Sequence, residues 1–260
     1  MVNVPLVEEY HLISLAFPII QTYFNKVDFL RQTLKKIIQK AGYTIIRGDI
    51  RQEVKNNISH LELPQHLLAN ARVCTNRYEV LKELPTGGTA VEVGVAYGDF
   101  SIHILNILKP DLFIAIDSFG ITAGDEPWGR HTLQEMQLTH QEYYTQQFSE
   151  QILSGKMIVK NGFSWEMLAQ LPDNSIDYIY VDADHSYESV SKEISVLKSK
   201  VKPQAIVHFN DYTYFDQNAL MPYGVPKAVH EFMLQENYEL LYLCLHTQGF
   251  YDVVLRRILT

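Results

Sequence analysis

The sequence predicts an α/β fold with a doubly wound, seven-stranded sheet whose last strand is reversed, preceded by a helical N-terminal extension. From residue 61 onward, runs rich in Val, Ile and aromatic residues alternate with helical stretches, which is typical of a parallel sheet covered by helices. Near the end of the chain, the runs "YELLYLCLH" and "FYDVVLRRI" are separated only by "TQG". A parallel crossover needs about a dozen residues, so these two runs are predicted to form an antiparallel hairpin.

The predicted elements of the main domain, residues 61–260, follow a simple order. A helix, "LPQHLLANARVCTNRYEVLKEL", comes first. Strands and helices then alternate: the strand "TAVEVGV", the helix "DFSIHILNIL", the strand "LFIAIDSF", a polar helical stretch near residues 130–152, the strand "KMIVKNG", the helix "SWEMLAQL", the strand "IDYIYVDA", the helix "YESVSKEISVLKSKV" and the strand "AIVHFND". A helix near residues 224–235 leads into the final hairpin.

Residues 1–60 lack the alternation of strands and helices and are assigned to a separate helical extension. Within it, "VDFLRQTLKKIIQKAGY" has a helical period, with apolar residues on one face: Val27, Leu30, Leu34, Ile37, Ile38 and Ala41. We predict that this face packs on its own domain as a lid or on a second subunit, which would make the protein a homo-oligomer. Contact with an acidic membrane surface is the alternative interpretation of its basic face.

Composition narrows the classes of partner. The net charge of -8 argues against nucleic acid as a partner, because nucleic-acid binders carry a basic face, and it favours a small molecule. Cys74 and Cys244 lie far apart in apolar contexts, which predicts reduced thiols in a cytoplasmic protein. The apolar stretch "LISLAFPII" is interrupted by Pro18 and is too short for a bilayer, so no membrane span or export signal is predicted.

A glycine loop follows the first predicted strand in "VEVGVAYGDFS". Glu92 and Gly94 end that strand, Gly98 follows, and Ser101 lies at the start of the next helix, so backbone can approach a ligand at a helix N-terminus. The loop lacks the G-x-G-x-x-G pattern of dinucleotide sites. Asp117 ends the second strand, where an acidic side chain can accept hydrogen bonds from ribose hydroxyls. A packing role for the glycines and a capping role for Asp117 are the structural alternatives.

Polar residues also follow the third, fourth and fifth predicted strands. In "NGFSWEML", residues 162–164 would lie beside an adenine if the sheet is wound in this way. Asp182 follows the fourth strand, and Asn210 and Asp211 follow the fifth. These three oxygen donors, brought together at one sheet edge, are of the kind that binds Mg²⁺.

His185 stands three residues after Asp182 in "VDADHSYE". Its ordinary pKa of about 6.5 suits proton transfer near neutrality, so we predict that it is a general base, with a structural role at the start of the next helix as the alternative. Asp184 could orient this histidine or cap the helix that begins near Tyr187.

Between residues 88 and 232, the order of these motifs resembles the Rossmann-like class I O-methyltransferases that use S-adenosylmethionine. The most specific piece is "VDADHSYE", which resembles the branch that includes the macrocin and mycinamicin sugar methyltransferases of natural-product biosynthesis. The resemblance implies transfer of a methyl group to a hydroxyl oxygen, with His185 and Asp182 as the catalytic residues. It also implies a divalent metal such as Mg²⁺ held by Asp182, Asn210 and Asp211. Since the Asn210–Asp211 pair has one carboxylate fewer than the acidic pairs of some relatives, a metal-independent enzyme is an alternative.

The resemblance further implies the residues that bind S-adenosylmethionine. They are Glu92, Gly94, Tyr97, Gly98, Ser101, Asp117, Ser118, Gly162, Phe163, Ser164 and Asp182.

Two segments outside the regular alternation are predicted to meet the acceptor. "GITAGDEPWGRH" is long and glycine-rich enough to form a lid, and "YTYFDQNALMPYGV" is rich in aromatic residues that stack on sugar or aromatic rings. The sequence predicts a hydroxylated small molecule, with a sugar as one option, and identifies it no further. A catalytically silent S-adenosylmethionine-binding protein and a nicotinamide-dependent oxidoreductase are the rival interpretations.

Overall fold

The computed structural model describes residues 50–259, which form one eight-stranded mixed sheet with helices on both faces and a separate two-stranded antiparallel sheet. The amphipathic helix predicted over residues 27–41 lies outside this range. The strands are β1 (Arg72–Cys74), β2 (Thr89–Val93), β3 (Leu112–Asp117), β4 (Met157–Asn161), β5 (Ile176–Val181), β6 (Val201–Phe209), β7 (Phe215–Asp216), β8 (Met221–Pro222), β9 (Tyr238–Cys244) and β10 (Asp252–Arg257). Within the described range, no helix is both long and apolar enough to cross a bilayer.

Nine α-helices surround the strands in this part of the chain. They are α1 (Ile50–Asn57), α2 (Arg77–Leu81), α3 (Asp99–Ile107), α4 (Thr132–Met136), α5 (His140–Gln147), α6 (Ser149–Leu153), α7 (Ser164–Ala169), α8 (Tyr187–Lys200) and α9 (Val225–Glu236). Two short 3-10 helices, Gln65–Leu67 and Pro127–Gly129, lie in connecting segments. The predicted polar helical stretch near residues 130–152 is divided into α4, α5 and α6, and Thr139 begins α5 with a capping box.

The main sheet has the order β1-β9-β10-β6-β5-β2-β3-β4. β2, β3, β4, β5 and β6 pair in parallel, whereas β10 runs antiparallel to both β6 and β9. The predicted doubly wound sheet, its terminal hairpin and its reversed last strand are therefore confirmed. The strand order reverses between β2 and β5, and the carboxyl ends of strands at such a point are where open α/β sheets bind ligands.

An eighth strand, β1, extends the predicted seven, and the single helix predicted over this segment is wrong. β1 pairs in parallel with β9 at the edge of the sheet. Helix α2 begins only after it, because the Asn76 side chain accepts hydrogen bonds from the backbone of Tyr78 and Glu79.

Cys74 stands opposite Cys244 across strands β1 and β9, and both cysteines are free. The fold thus makes the two cysteines neighbours, whereas the sequence separates them by 170 positions, and their reduced state stays a prediction.

The sheet is buried on both faces. On β5, Ile179 and Val181 belong to one apolar cluster, whereas Tyr178 and Tyr180 belong to the other. The first cluster includes side chains from α7, α8 and α9, and the second includes side chains from α2, α3, α5 and α6. Because alternate residues of a strand point to opposite faces, this burial accounts for the nearly continuous apolar run "IDYIYV". The polar residues that follow the strands are left at the sheet edge.

Candidate functional site

Two cavities open at the carboxyl ends of the central strands. The first, of about 600 Å³, contains Asp117 in its wall, and we call it the Asp117 cavity. The second, of about 640 Å³, contains Arg77 in its wall, and we call it the Arg77 cavity. Five residues line both cavities and define a boundary that we call the seam: Gly94, Ala96, Trp128, Asp182 and His185.

The predicted glycine loop lies at this boundary. Gly94 has a φ of 83°, and a Cβ atom there would lie 2.0 Å from the carbonyl oxygen of Asp182. Gly98, with a φ of 81°, precedes α3, and a Cβ atom there would meet the ring of Phe148. Both positions therefore require glycine for conformation and for close packing. Gly94 faces the cavities, whereas Gly98 does not line either of them.

Asp117 lines its cavity but uses much of its hydrogen-bonding capacity on the backbone. One carboxylate oxygen accepts from the amides of Val95 (2.9 Å) and Ala96 (3.2 Å), and the other accepts from the amide of Phe119 (2.6 Å). A carboxylate offers about four acceptor positions, so roughly one is left for a ligand. Asp117 thus fixes the glycine loop, and Ser118 lies beside it in the cavity wall. Binding of ribose by these residues stays a prediction.

Behind the loop, Glu92 and Ser101 form a buried pair. The Ser101 hydroxyl donates to a carboxylate oxygen of Glu92 at 2.5 Å and lies 2.9 Å from the hydroxyl of Tyr144. Burial raises the pKa of Glu92 well above its ordinary value. Ser101 lines neither cavity, while Glu92 reaches the wall of the Arg77 cavity. Tyr97, also in that wall, donates from its hydroxyl to Glu126 at 2.8 Å.

The segment after β4 contributes Gly162, Phe163 and Ser164 to the wall of the Asp117 cavity, and their position beside an adenine stays a prediction. The Phe163 ring stacks on Trp165, with centroids 5.0 Å apart and an interplanar angle of 8°. The Ser164 hydroxyl donates to Glu193 of α8 at 2.5 Å. Glu193 is fully buried, and this burial raises its pKa to about 7.

At the seam, Asp182, His185 and Asp211 converge. His185 Nε2 lies 3.4 Å from Asp182 Oδ1 and 3.2 Å from Asp211 Oδ2. The His185 ring stacks on Tyr223, with centroids 4.5 Å apart. One ligand atom from each of the three residues lies within 4.8 Å of the others, so the group fits a single divalent cation.

Electrostatics couple the members of this cluster. Burial alone would lower the pKa of His185, but its hydrogen bond to Asp182 and the charges of Asp182 and Asp211 raise it above the ordinary value. Burial and the charge of Asp182 raise the pKa of Asp211 to about 7. The charge states of His185 and Asp211 therefore depend on each other and on the charge of Asp182.

Asn210, the third predicted metal ligand, is oriented differently. Its side-chain nitrogen donates to Asp182 Oδ1 at 2.7 Å, and its side-chain oxygen accepts from Arg77 at 3.2 Å. The converging ligand atoms are thus those of Asp182, His185 and Asp211, and the Asn210 oxygen faces Arg77. A metal role for Asn210 stays a prediction that requires the amide to turn.

Arg77 is the residue that the sequence analysis missed. Its Nη1 donates to the Tyr180 hydroxyl at 2.5 Å and lies 3.8 Å from Asp182 Oδ2. Burial would lower the pKa of Arg77, but Tyr180, Asp182 and the buried Asp252 raise it above the ordinary value. The cluster therefore includes a permanent cation. No motif surrounds Arg77 in the sequence, because the fold joins it to residues about a hundred positions away.

The Arg77 cavity continues into segments beyond β6. Part of its wall comes from "YTYFDQNALMPYGV" and from the loop of the terminal hairpin: Asp216, Asn218, Ala219, Tyr223, His246, Gln248 and Phe250. Trp128 and Arg130 of "GITAGDEPWGRH" also line it, so both predicted acceptor segments reach this cavity. The sequence does not predict a role for the hairpin loop, because this loop has no local pattern of a binding site.

Residues 91–212 match the model of a family described as a methyltransferase domain. This segment is therefore similar to methyltransferase domains. Together with the fold, this match supports the predicted class of methyltransferases that use S-adenosylmethionine. The macrocin-like branch, O-methylation and the metal stay predictions.

Solved structures are similar to this chain at low sequence identity. A methyltransferase dependent on S-adenosylmethionine from Aquifex aeolicus is 18% identical, with 80% of this chain and 98% of that chain covered and a TM-score of 0.47. A candidate rRNA methylase from Clostridium thermocellum is 9% identical, with 70% and 93% covered and a TM-score of 0.50. At such identities, the likeness concerns the fold alone. No curated protein matches the sequence.

Proposed function

We propose that this chain is an S-adenosylmethionine-dependent O-methyltransferase that acts on a hydroxylated small molecule. The observation that supports this proposal is the meeting of two cavities at a seam that contains Asp182 and His185. Transfer between two bound molecules requires that the reacting atoms approach within about 3–3.5 Å. The Asp117 cavity would hold the methyl donor, and the Arg77 cavity would hold the acceptor.

The proposed donor site is formed by residues of the segment 91–212. Gly94, Ser118 and the segment 162–164 line the Asp117 cavity and would contact the donor directly, together with Asp117 and Asp182. The remaining predicted donor residues would act from the loop and behind it: Glu92, Tyr97, Gly98 and Ser101. Because Asp117 holds the loop amides, its first contribution would be a preformed donor site, with ribose contact as its second.

The proton of the acceptor hydroxyl would pass to His185. This imidazole lies at the seam, and Asp182 and Asp211, which both lie near its Nε2, would stabilise the imidazolium that forms. Asp182 and Asp211 would also hold a divalent cation such as Mg²⁺, which when bound lowers the pKa of an acceptor hydroxyl. His185 offers its nitrogen to the same group of ligand atoms, so it would serve either as a ligand or as the base.

A metal-independent reaction is the second candidate, and Arg77 favours it. The guanidinium lies 3.8 Å from Asp182 and lines the acceptor cavity, where it would stabilise negative charge on the acceptor oxygen. Aromatic side chains of this cavity, including Tyr97, Tyr223 and Phe250, suit a ring such as a sugar.

Two measurements on the full chain test the proposal. Calorimetry is expected to show binding of S-adenosylmethionine and S-adenosylhomocysteine and no binding of NAD; binding of NAD alone would refute the proposed class. Release of S-adenosylhomocysteine is then measured over a panel of hydroxylated acceptors, with and without a chelator. Loss of turnover in chelator, restored by Mg²⁺, would support the metal-assisted reaction, whereas full turnover would support the Arg77 alternative.

A further inference from the structure

The seam restricts where the reactive group of the methyl donor can lie. This inference rests on the proposed function, because it takes the Asp117 cavity as the donor site. A methyl group that leaves one cavity for the other must pass the residues that line both. In S-adenosylmethionine, this methyl group is bonded to a sulfonium, which is positively charged until the transfer occurs. The seam residues must therefore accommodate a cation.

Trp128 is the only Trp, Tyr or Phe residue of the seam. Its side chain is 73% exposed, and its backbone is in the left-handed region, with a φ of 58° and a ψ of 22°. This conformation is unfavourable for a bulky residue, and such strain persists only where neighbouring contacts hold it. An indole held in this way, and left uncovered, is available to a ligand.

The neighbours of Trp128 supply those contacts. On one side, Glu126 accepts from the Tyr97 hydroxyl at 2.8 Å and from the Gln134 amide at 3.0 Å. On the other side, the Arg130 guanidinium pairs with Asp99 and lies 4.5 Å from the centre of the Tyr97 ring. The Trp128 ring itself meets Tyr97 edge-on, with centroids 6.1 Å apart. Anchors on both sides thus fix the indole beside the seam.

The second tryptophan, Trp165, provides a contrast. It lines the Asp117 cavity alone, stacks on Phe163 and carries the ammonium of Lys192 at 4.7 Å from its ring centre. Within residues 52–259, no lysine or arginine lies over the ring of Trp128. The faces of Trp165 are therefore engaged by the protein, whereas Trp128 has a π-face free for a cation.

We propose that Trp128 binds the sulfonium of the methyl donor through a cation–π interaction, with Asp182 as the neighbouring counter-charge. Indole is the strongest of the natural side chains in this interaction. The contact is favourable only while the ligand carries its positive charge, so it holds S-adenosylmethionine and releases S-adenosylhomocysteine after transfer. Trp128 is thereby a specificity-determining residue that distinguishes the donor from the product.

The test compares three ligands that differ in charge at one position. S-adenosylmethionine carries a sulfonium, sinefungin carries an ammonium group at the corresponding place, and S-adenosylhomocysteine is uncharged there. Calorimetry on full-length Trp128→Leu is expected to show roughly 3- to 30-fold weaker binding of the two cationic ligands, and less than about a twofold change for S-adenosylhomocysteine. Trp128→Phe should retain part of the preference, because phenyl is a weaker π-donor.

Trp165→Leu is the matched control. It removes an indole from the same cavity and should weaken the binding of all three ligands by a similar factor, so that the ratios of their affinities are unchanged. Equal weakening of all three ligands by Trp128→Leu, at an unchanged melting temperature, would overturn the role of Trp128. If the wild-type chain binds none of the three ligands, the proposed function itself fails, and the two failures are therefore distinguishable.

Discussion

The two cavities differ in where their walls come from. Every residue that lines the Asp117 cavity lies between Gly94 and His185, inside the segment 91–212 that matches the methyltransferase domain. The Arg77 cavity adds residues from outside that segment, from Arg77 before it to Phe250 after it. This difference indicates that the matched segment supplies the whole wall of the proposed donor site, whereas the flanking segments complete the wall of the proposed acceptor site.

Removal of the proposed base should have the largest effect, because it acts where both cavities meet. His185→Ala is expected to reduce the rate of methyl transfer about 10²- to 10⁴-fold with nearly unchanged affinity for S-adenosylhomocysteine. Single-turnover transfer and calorimetry measure the two quantities. His246→Ala, which removes an exposed histidine from the Arg77 cavity outside the seam, is the control. A normal rate in the His185 variant would show that the proton leaves by another route.

A substitution in the Asp117 cavity should lower the affinity for the methyl donor and leave the binding of the acceptor unchanged. Asp117→Asn removes charge-assisted hydrogen bonds to the loop, and we expect a loss of about 1.5–3 kcal/mol in binding of S-adenosylhomocysteine. Calorimetry measures this loss, and the KM of the acceptor should be unchanged. Asp111→Asn is the control, because Asp111 accepts from the Gly88 amide outside both cavities. Unchanged donor affinity in the Asp117 variant would contradict its assigned role.

A substitution in the Arg77 cavity should lower kcat/KM for the acceptor and leave the affinity for the donor unchanged. Arg77→Lys keeps the charge but loses the planar geometry that reaches Tyr180 and Asn210 together, so a loss of about 1 kcal/mol, roughly fivefold in kcat/KM, is expected. Steady-state kinetics with varied acceptor measure it. If donor affinity fell by the same factor, the separation of the two cavities would be wrong.

The smallest expected effect concerns Glu193, which supports the Asp117 cavity through Ser164. The pKa of Glu193 in the folded protein is about 7, above the ordinary value of 4.5. The protonated carboxyl therefore stabilises the fold, and this contribution is fully present below pH 4.5 and is lost as the pH rises through 7. Between about pH 6 and pH 8, the free energy of unfolding should fall by about 1 kcal/mol from this group.

Denaturant titrations at the two pH values measure this slope. Glu193→Gln should remove the Glu193 part of it, whereas Glu188→Gln, an exposed change on the same helix, should not. A slope that is the same in all three proteins would show that Glu193 is ionised in the folded state throughout this range.

The sequence was sufficient for the features that depend on local pattern. The order of strands and helices, the glycine loop and the placement of Asp182, His185 and Asp211 at one edge follow from strand periodicity and from the rule that parallel strands end together. The structure confirms the fold and brings those three side chains together.

The features that the sequence analysis missed depend on contacts between distant segments. Strand β1 is three residues long, and its strand conformation comes from pairing with β9, so local helical propensity misled the prediction. Arg77 joins Tyr180 across 103 positions, and the orientation of Asn210 follows from that arginine. Neither relation leaves a local signal.

The close contact at Gly94 has a consequence for the engineering of new specificities. A Cβ atom there would collide with the Asp182 carbonyl, and the Asp182 amide also donates to Val93 at 2.8 Å. The glycine loop and the end of β5, which carries Asp182, are thus fixed against each other. A design that moves one of them into another protein must therefore move both. The hairpin loop that contains Phe250 is held to a different segment, through hydrogen bonds from the Gln217 side chain to the Gln248 carbonyl and from the Tyr212 amide to the Tyr251 carbonyl. Libraries aimed at new acceptors therefore belong there, because they leave the glycine loop untouched.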